Sequence, residues 1–253
     1  MSKIAILSFY SGFIERGAET FVYELTKRLL KKHQVTILQS GEKLSIYQYL
    51  ISDKFKVITI KPFAKESNFR LNILRRFYLD WQSLKIFLTA IKTMPQLIRG
   101  KYDVIIAMNG GWQVAVVRIV SKLTKSKLVV TGQAGIGRDD AWNLLWRPDI
   151  FVALTTAQLK WANSMALEVK KVLIPNGVDL STFNPQVKAK KLFLQKPIAI
   201  CTAALDPYKQ VDLTIKAVAK TKNLSLLLLG DGPLRGQIDS QGKRLLGKRY
   251  LRL

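Results

Sequence analysis

The sequence predicts an α/β protein with a doubly wound parallel sheet, on three observations. Apolar runs of strand length alternate with segments of helical period along most of the 253 residues. No two runs are joined by the two-residue turn chemistry of a hairpin, so successive strands need crossover helices and lie parallel. Apolar residues make up 48% of the chain, enough to cover both faces of such a sheet.

The runs come in order. "IAILSFY" (4–10) reads as a strand, followed by the loop "SGFIERGAE" and a helix over 20–32 with Phe21, Leu25 and Leu29 at helical spacing. "QVTILQS" (34–40) and "FKVITI" (55–60) are strands. A long helical region spans about 70–99. It is followed by the strand "YDVIIAM" (102–108), a helix from Trp112 to about Lys122, the strand "KLVVTG", and the loop "QAGIGRDD". The short helix "AWNLLW" precedes the strand "DIFVALT". A helix over 156–166, the strand "KKVLIP" and the loop "NGVDLSTFNP" follow. The basic stretch "QVKAKKLFLQK" connects to a second pattern: strand "PIAICTA", loop "ALDPYK", helix 211–222, strand 224–229, loop "GDGP" and a basic helix. This divides the chain into a Rossmann-like domain over 1–185, a linker over 186–196 and a βαβα unit over 197–253. Two strands and two helices bury little on their own. On this reading the chain ends where a third strand is expected to begin, and Leu224–Leu229 lies at an exposed edge.

Charge narrows the partners. Lys and Arg number 41 against 17 Asp and Glu, a net charge of +24. This favours polyanions: phosphorylated substrates, an anionic lipid surface or nucleic acid. Zinc spacing, a recognition-helix pattern and aromatic RNA motifs are missing from the sequence, so nucleic acid is not expected. The single cysteine, Cys201, cannot build a disulfide framework. The N-terminus carries no secretory leader pattern and no apolar run reaches eighteen residues. The expected location is cytoplasmic, or peripheral at the inner face of the cell membrane.

In a doubly wound sheet, ligands sit beyond the carboxyl ends of the strands. The segments expected there are rich in glycine and small polar residues. Gly12 and Gly17 follow the first strand. Asn109 and Gly110 follow the strand at 102–108, Gln133 lies in "GQAGIGRDD", and Asn176 in "IPNGVD". Gly17 opens the first helix, where free N–H groups and the helix dipole favour a phosphate; it is equally what a plain strand-to-helix turn uses. Asp139 and Asp140 precede a short helix, and N-capping is the expected role of at least one. In "IPNGVDLSTFNP" Asn176-Gly177 favours a turn with positive φ, and Asp179 can accept backbone hydrogen bonds beyond it.

That segment carries a resemblance. "IPNGVDLSTFNP" resembles the interdomain signature of glycosyltransferase family 4, retaining enzymes of the GT-B type. "RGAETFVYELTKRLLKKHQVTIL", "ALDPYKQVDLTIKAV" and "LLLLGDGP" resemble its first helix and second strand, the start of its donor domain, and that domain's second strand and loop. The likeness runs through essentially the whole chain, in order. It implies two Rossmann-like domains, the first binding an acceptor and the second a nucleotide-sugar. It also implies transfer with retention of configuration, without metal or other cofactor. Lys209 matches the lysine that neutralises the leaving diphosphate, an electrostatic role, and Gly230 and Gly232 match the donor loop. Gly17 is included on the donor side; Gly12, Asn109, Gly110, Gln133 and Asn176 form the acceptor side.

The chain departs from the pattern in places. Ala204 and Gln210 stand where family members carry arginines. Gln133 stands at the usual place of a histidine, and glutamine can hydrogen-bond a sugar hydroxyl but cannot shuttle a proton. His33, in "KKHQVTI", matches a structural position. The family's Glu-x7-Glu segment has no counterpart. The expected function is sugar transfer to a lipid-linked or saccharide acceptor in cell-envelope polysaccharide biosynthesis, by a chain whose donor domain is incomplete: cut, degenerate, or completed by a separate chain. The alternative is an inactive protein that binds an acceptor or a membrane surface. The stripe Leu74, Phe77, Trp81, Leu84, Leu88, Ile91 and Ile98, with Lys85, Lys92 and Arg99 at seven-residue intervals, fits either an ordinary crossover helix or one lying on an anionic membrane.

Overall fold

In the computed structural model, residues 1–12, 17–41, 52–61, 78–108, 110–188 and 191–253 are described. The polypeptide forms two compact units, Met1–Val178 and Asp179–Leu253. Asn109 and the predicted helical residues 70–77 lie outside the described residues.

The first unit is built on seven parallel strands: β1 (Lys3–Ser8), β2 (Gln34–Gln39), β3 (Phe55–Thr59), β4 (Val104–Ala107), β5 (Lys127–Thr131), β6 (Ile150–Ala153) and β7 (Lys170–Leu173). Their order is β3-β2-β1-β4-β5-β6-β7, so the winding reverses between β1 and β4. Helices α1 (Gly17–Leu29), α2 (Trp81–Gly100), α3 (Trp112–Thr124), α4 (Arg138–Leu145) and α5 (Thr156–Ser164) accompany it. Alternation along β1 divides the core. Ile4 and Ile6 join Val22 of α1, with Val35 and Ile37 of β2, on one face. Ala5 and Leu7 join Leu97 of α2, Val117 of α3 and Ala162 of α5 on the other. Because the central strands β1, β4 and β5 are covered on both faces, they read in the sequence as nearly unbroken apolar runs.

The second unit corrects the expectation of a two-strand βαβα unit. β8 (Ile198–Thr202), α6 (Val211–Lys220), β9 (Ser225–Leu229) and α7 (Arg235–Leu246) are followed by a third strand, β10 (Tyr250–Arg252). The order is β10-β9-β8, all parallel. The run Leu224–Leu229 is therefore not an edge. β9 is the middle strand, and Leu226 and Leu228 are wholly buried against α6 and α7 residues such as Ile215 and Ile238. β10 is held by charge as well as by its ladder. Asp239 of α7 accepts from Arg252 Nε at 2.9 Å and from the Tyr250 hydroxyl at 2.8 Å. Burial works against the Asp239 carboxylate, but these two donors outweigh it and hold its pKa below the ordinary value.

The central position of β9 has a measurable consequence. Leu228→Ala removes a fully buried side chain and should cost about 3 kcal/mol. Ile200→Ala on β8, where the side chain is 64% exposed, should cost less than about 1 kcal/mol. Urea unfolding of both variants checks this, and equal costs would contradict a central β9.

Candidate functional site

The reversal between β1 and β4 leaves the loops after these strands running to opposite sides, which opens a crevice at their carboxyl ends. Gly12 ends the short turn Phe9–Gly12 after β1. A Cβ at Gly12 would lie 2.3 Å from the Gly41 carbonyl oxygen and 2.5 Å from that of Ser40, so only glycine lets this turn lie against the end of β2. Beneath it the Ser11 hydroxyl donates to that of Ser8 at 2.6 Å, both side chains buried. Gly17 begins α1, and nothing lies within 4 Å of the place its Cβ would take. Its backbone does not have positive φ, so neither sterics nor φ demands glycine there.

After β4, Gly110 faces Asn143 of α4, whose amide oxygen lies 3.0 Å from a Cβ built there. After β5, Gly132 faces Gln158 of α5 even more closely, at 2.3 Å. Gln158 is 2% exposed, and its amide is fully engaged. Its Nε2 donates to the Gly132 carbonyl at 2.8 Å and to Asp140 Oδ2 at 2.7 Å, and its Oε1 accepts from the Leu154 N–H at 2.8 Å. Asp140 Oδ1 accepts from Asn143 Nδ2 at 3.3 Å. One network thus joins the loops after β5 and β6 to α4.

Neither aspartate caps a helix, contrary to expectation. Gly137 occupies the N-cap without a side-chain bond, and both carboxylates lie within the first turn. Asp140 turns inward to Gln158 and Asn143, while Asp139 accepts the Tyr78 hydroxyl proton at 2.5 Å. Burial, then Asp139, pushes the Tyr78 phenol up to about 12. Tyr78 also stacks near Trp142, at 5.1 Å between centroids, and Trp142 near Trp112, at 5.2 Å. The Trp112 indole N–H donates to the Tyr78 carbonyl at 3.0 Å. An aromatic block therefore backs the α4 side of the crevice.

Two of the predicted polar residues meet at the same end of the sheet. Gln133 Nε2 donates to Asn176 Oδ1 and Asn176 Nδ2 to Gln133 Oε1, each at 3.3 Å. This reciprocal pair joins the loops after β5 and β7 and is open to solvent. Neither Asn176 nor Gly177 takes positive φ, a second departure from expectation. Asp179 behaves as predicted, accepting from the Ser181 N–H at 3.0 Å. His33 accepts from the Ser2 N–H at 3.4 Å, far in sequence from these loops.

In the second unit, the residues after β8 and β9 form one knot at the carboxyl end. The Leu205 N–H donates to the Asp231 carbonyl at 2.9 Å and the Leu234 N–H to the Leu205 carbonyl at 3.0 Å. A Cβ at Gly230 would lie 1.9 Å from the Ala203 carbonyl oxygen, and one at Gly232 2.8 Å from that of Leu205. These two glycines are thus what allows the loops to touch. Lys209 closes the 3-10 turn Pro207–Lys209 at the same end. Its ammonium lies 5.1 Å from the centroid of the exposed Tyr208 ring. Gln210 takes the left-handed conformation, φ 52°, at the start of α6. Among the described residues, no three His, Cys, Asp or Glu side chains cluster as metal ligands would.

Sequence reasoning missed Gln158, Asn143 and Tyr78. Asn143 was signalled weakly by its position three residues after Asp140 on a helix. The other two are separated from their partners by 18 and 61 residues, and no local pattern reports them.

No protein-family model and no curated protein matches the chain. Solved structures do. Anabaena HepE in complex with UDP and glucose aligns with all of this chain and 69% of its own, at a TM-score of 0.66 and 17% identity. S. aureus TarM, in complex with fondaparinux, α-GlcNAc-glycerol and UDP, aligns with all of this chain and 77% of its own, at 0.66 and 12%. The apo lipopolysaccharide outer core galactosyltransferase WaaB aligns with 99% of this chain and 67% of its own, at 0.60 and 14%. At these identities the likeness is one of fold, and the fold is of the GT-B type.

The Asp140 network predicts a pH dependence. Burial pushes the Asp140 carboxyl up to about 6, and its hydrogen bonds to Asn143, Gln158 and the Gly135 N–H offset only part of this. The folded pKa is thus above the unfolded one. Between about pH 4 and about pH 6 the folded protein holds a proton that the unfolded chain has lost, so stability falls as pH rises, by up to about 3 kcal/mol. Asp140→Asn should flatten the profile across this window. Urea midpoints of both proteins at about pH 4, 5, 6 and 7 check the sign.

Proposed function

We propose that the chain is a member of glycosyltransferase family 4 that transfers a sugar from a nucleotide-sugar to a lipid-linked or saccharide acceptor, with retention, in cell-envelope polysaccharide assembly. The observation that carries this reading is the knot at the carboxyl end of β8 and β9. Two glycines strip side chains from a pair of interlocked loops, and Lys209 stands on the turn beside them. Such an end, with bare backbone and a cation, suits a diphosphate. The complexes of HepE with UDP-glucose and of TarM with UDP lend support through the shared fold.

In this reading Lys209, Gly230 and Gly232 hold the donor diphosphate. Lys209 offsets the charge that develops on the leaving phosphate. Gln133 and Asn176 offer both amide donors and amide acceptors to sugar hydroxyls, with Gly12 and Gly110 also on the acceptor side. Gln133 orients and does not take a proton, so the acceptor proton passes to the leaving phosphate. Metal and other cofactors have no part in this scheme. The protein works in the cytoplasm or at the inner face of the membrane.

One observation favours a second reading. Ala204 and Gln210 leave Lys209 without the arginines that the family pattern places near it, which fits an acceptor- or membrane-binding protein without transferase activity. Titration of UDP and other nucleoside diphosphates by calorimetry separates the two. The transferase reading expects saturable binding that Lys209→Ala weakens by on the order of tenfold, with sugar release from a matching nucleotide-sugar. Saturable acceptor binding with no nucleoside diphosphate binding at millimolar concentration supports the second reading and ends the first.

A further inference from the structure

Asp140 is a buried carboxylate held by neutral donors. It is 0% exposed. Gln158 Nε2 donates to its Oδ2, Asn143 Nδ2 to its Oδ1, and the Gly135 N–H also bonds it. Among the described residues the charged group that acts on it is Asp139. That neighbour has the same sign and is engaged with Tyr78 and Arg138. The network contains one defect. Asn143 is 4% exposed, and its Oδ1 is buried and accepts no hydrogen bond from any described residue. A buried oxygen left unpaired, on an amide whose nitrogen is bonded, calls for a physical reason.

The reason is a proton. A neutral carboxyl group carries an O–H that needs an acceptor. The Gly135 N–H can only donate. Gln158 has no acceptor to offer: its Oε1 takes the Leu154 N–H, and its Nε2 donates to the Gly132 carbonyl and to Asp140, so turning this amide over would break three bonds. Asn143 has a single bond to Asp140 and an unpaired oxygen. Turning it over exchanges nitrogen for oxygen and brings Oδ1 to the Asp140 O–H, while the Gln158 bond to Oδ2 stays in place. The amide thus has one arrangement for ionised Asp140 and another for the neutral acid. Burial raises the carboxyl to about 6, so each arrangement dominates on its own side of that pH.

The change reaches the crevice. Both ends of the Asn143 amide face Gly110 in the loop after β4, Oδ1 at 3.0 Å and Nδ2 at 3.2 Å from the place a Cβ would take. The geometry points to a proton-operated switch: uptake of a solvent proton by Asp140 turns the Asn143 amide over and replaces an acceptor by a donor beside Gly110. The inference concerns groups of this chain alone and does not rest on the transferase reading. Failure to bind a nucleoside diphosphate leaves it untouched.

The test is an NMR titration of the isotope-labelled full chain between about pH 5 and about pH 8, a range that brackets a raised carboxyl. It follows the Asp140 carboxyl carbon, the Asn143 side-chain amide and the Gly110 backbone N–H. All should shift together, with an inflection at about pH 6. As pH falls, one Asn143 amide proton should lose the downfield position of a donor to a carboxylate. Asp140→Asn offers a permanent N–H to Asn143 Oδ1 and should hold the Gly110 signal at its acid position at every pH. Asn143→Leu should abolish the Gly110 shift while Asp140 still titrates. An Asp140 that titrates while the Asn143 amide stays still would overturn the inference. So would an Asp140 that remains ionised across the range, or a Gly110 signal that still shifts in Asn143→Leu. The wild-type titration decides the question even where a variant fails to fold.

Discussion

The amide of Gln158 is the contact on which the first unit's functional end depends. A single buried side chain accepts from Leu154 and donates to both the Gly132 carbonyl and Asp140. It thereby fixes the exit from β5, the exit from β6 and the start of α4 relative to one another. Its position requires that residue 132 have no side chain, because a Cβ there would meet its Nε2. A buried amide with every donor and acceptor in use rigidifies its surroundings, whereas a half-satisfied one is costly. The solvent-facing Gln133–Asn176 pair is the outer edge of this arrangement. Gln133 follows directly on the residue that Gln158 holds.

The two units solve the same problem with different materials. Parallel strands bring all their carboxyl ends to one edge, so the residues there must make turns while leaving the backbone accessible. In the first unit this is done after β4 and β5 with side-chain amides packed against Gly110 and Gly132, and after β1 with Gly12 against backbone carbonyls. In the second, glycines let backbone meet backbone: the carbonyls of Ala203 and Leu205 occupy the space that Cβ atoms of Gly230 and Gly232 would need. The cation Lys209 is then the main ionisable feature of the turn after β8, and it rests on its own neighbour, Tyr208.

The order of elements was legible because burial on both faces makes each strand a nearly continuous apolar run, as in "IAILS" and "VIIA". β10 was not. It is three residues long and contains Arg252, which a periodicity reading assigns to solvent, yet the side chain is partly covered and its guanidinium bonds Asp239. At the candidate site, Gly12, Gly110, Gly230 and Gly232 stood out as glycines after strands; Gly12, Gly230 and Gly232 allow close backbone approach, and Gly110 makes room for the Asn143 side chain. The ionic and amide networks were hidden. Asp140 reads as a helix cap because Asp is a good one, and only the tertiary position of Gln158 draws it inward. In α2, the sequence shows a row of aliphatic residues but not the direction in which it faces. Thr89, Ala90 and Thr93 are buried, whereas Leu84, Ile91 and Ile98 are exposed.

That orientation bears on how the charge of +24 should be understood. A surplus of cations spread over a surface gives weak, salt-sensitive attraction to any polyanion and no preferred orientation. The crevice residues follow strands at their carboxyl ends, whereas α2 and α3 run antiparallel to the sheet, so their N-terminal ends lie at the crevice edge. Trp112, the first residue of α3, touches both Tyr78 and Trp142 there. The aromatic border of the crevice therefore lies at the N-terminal ends of these helices.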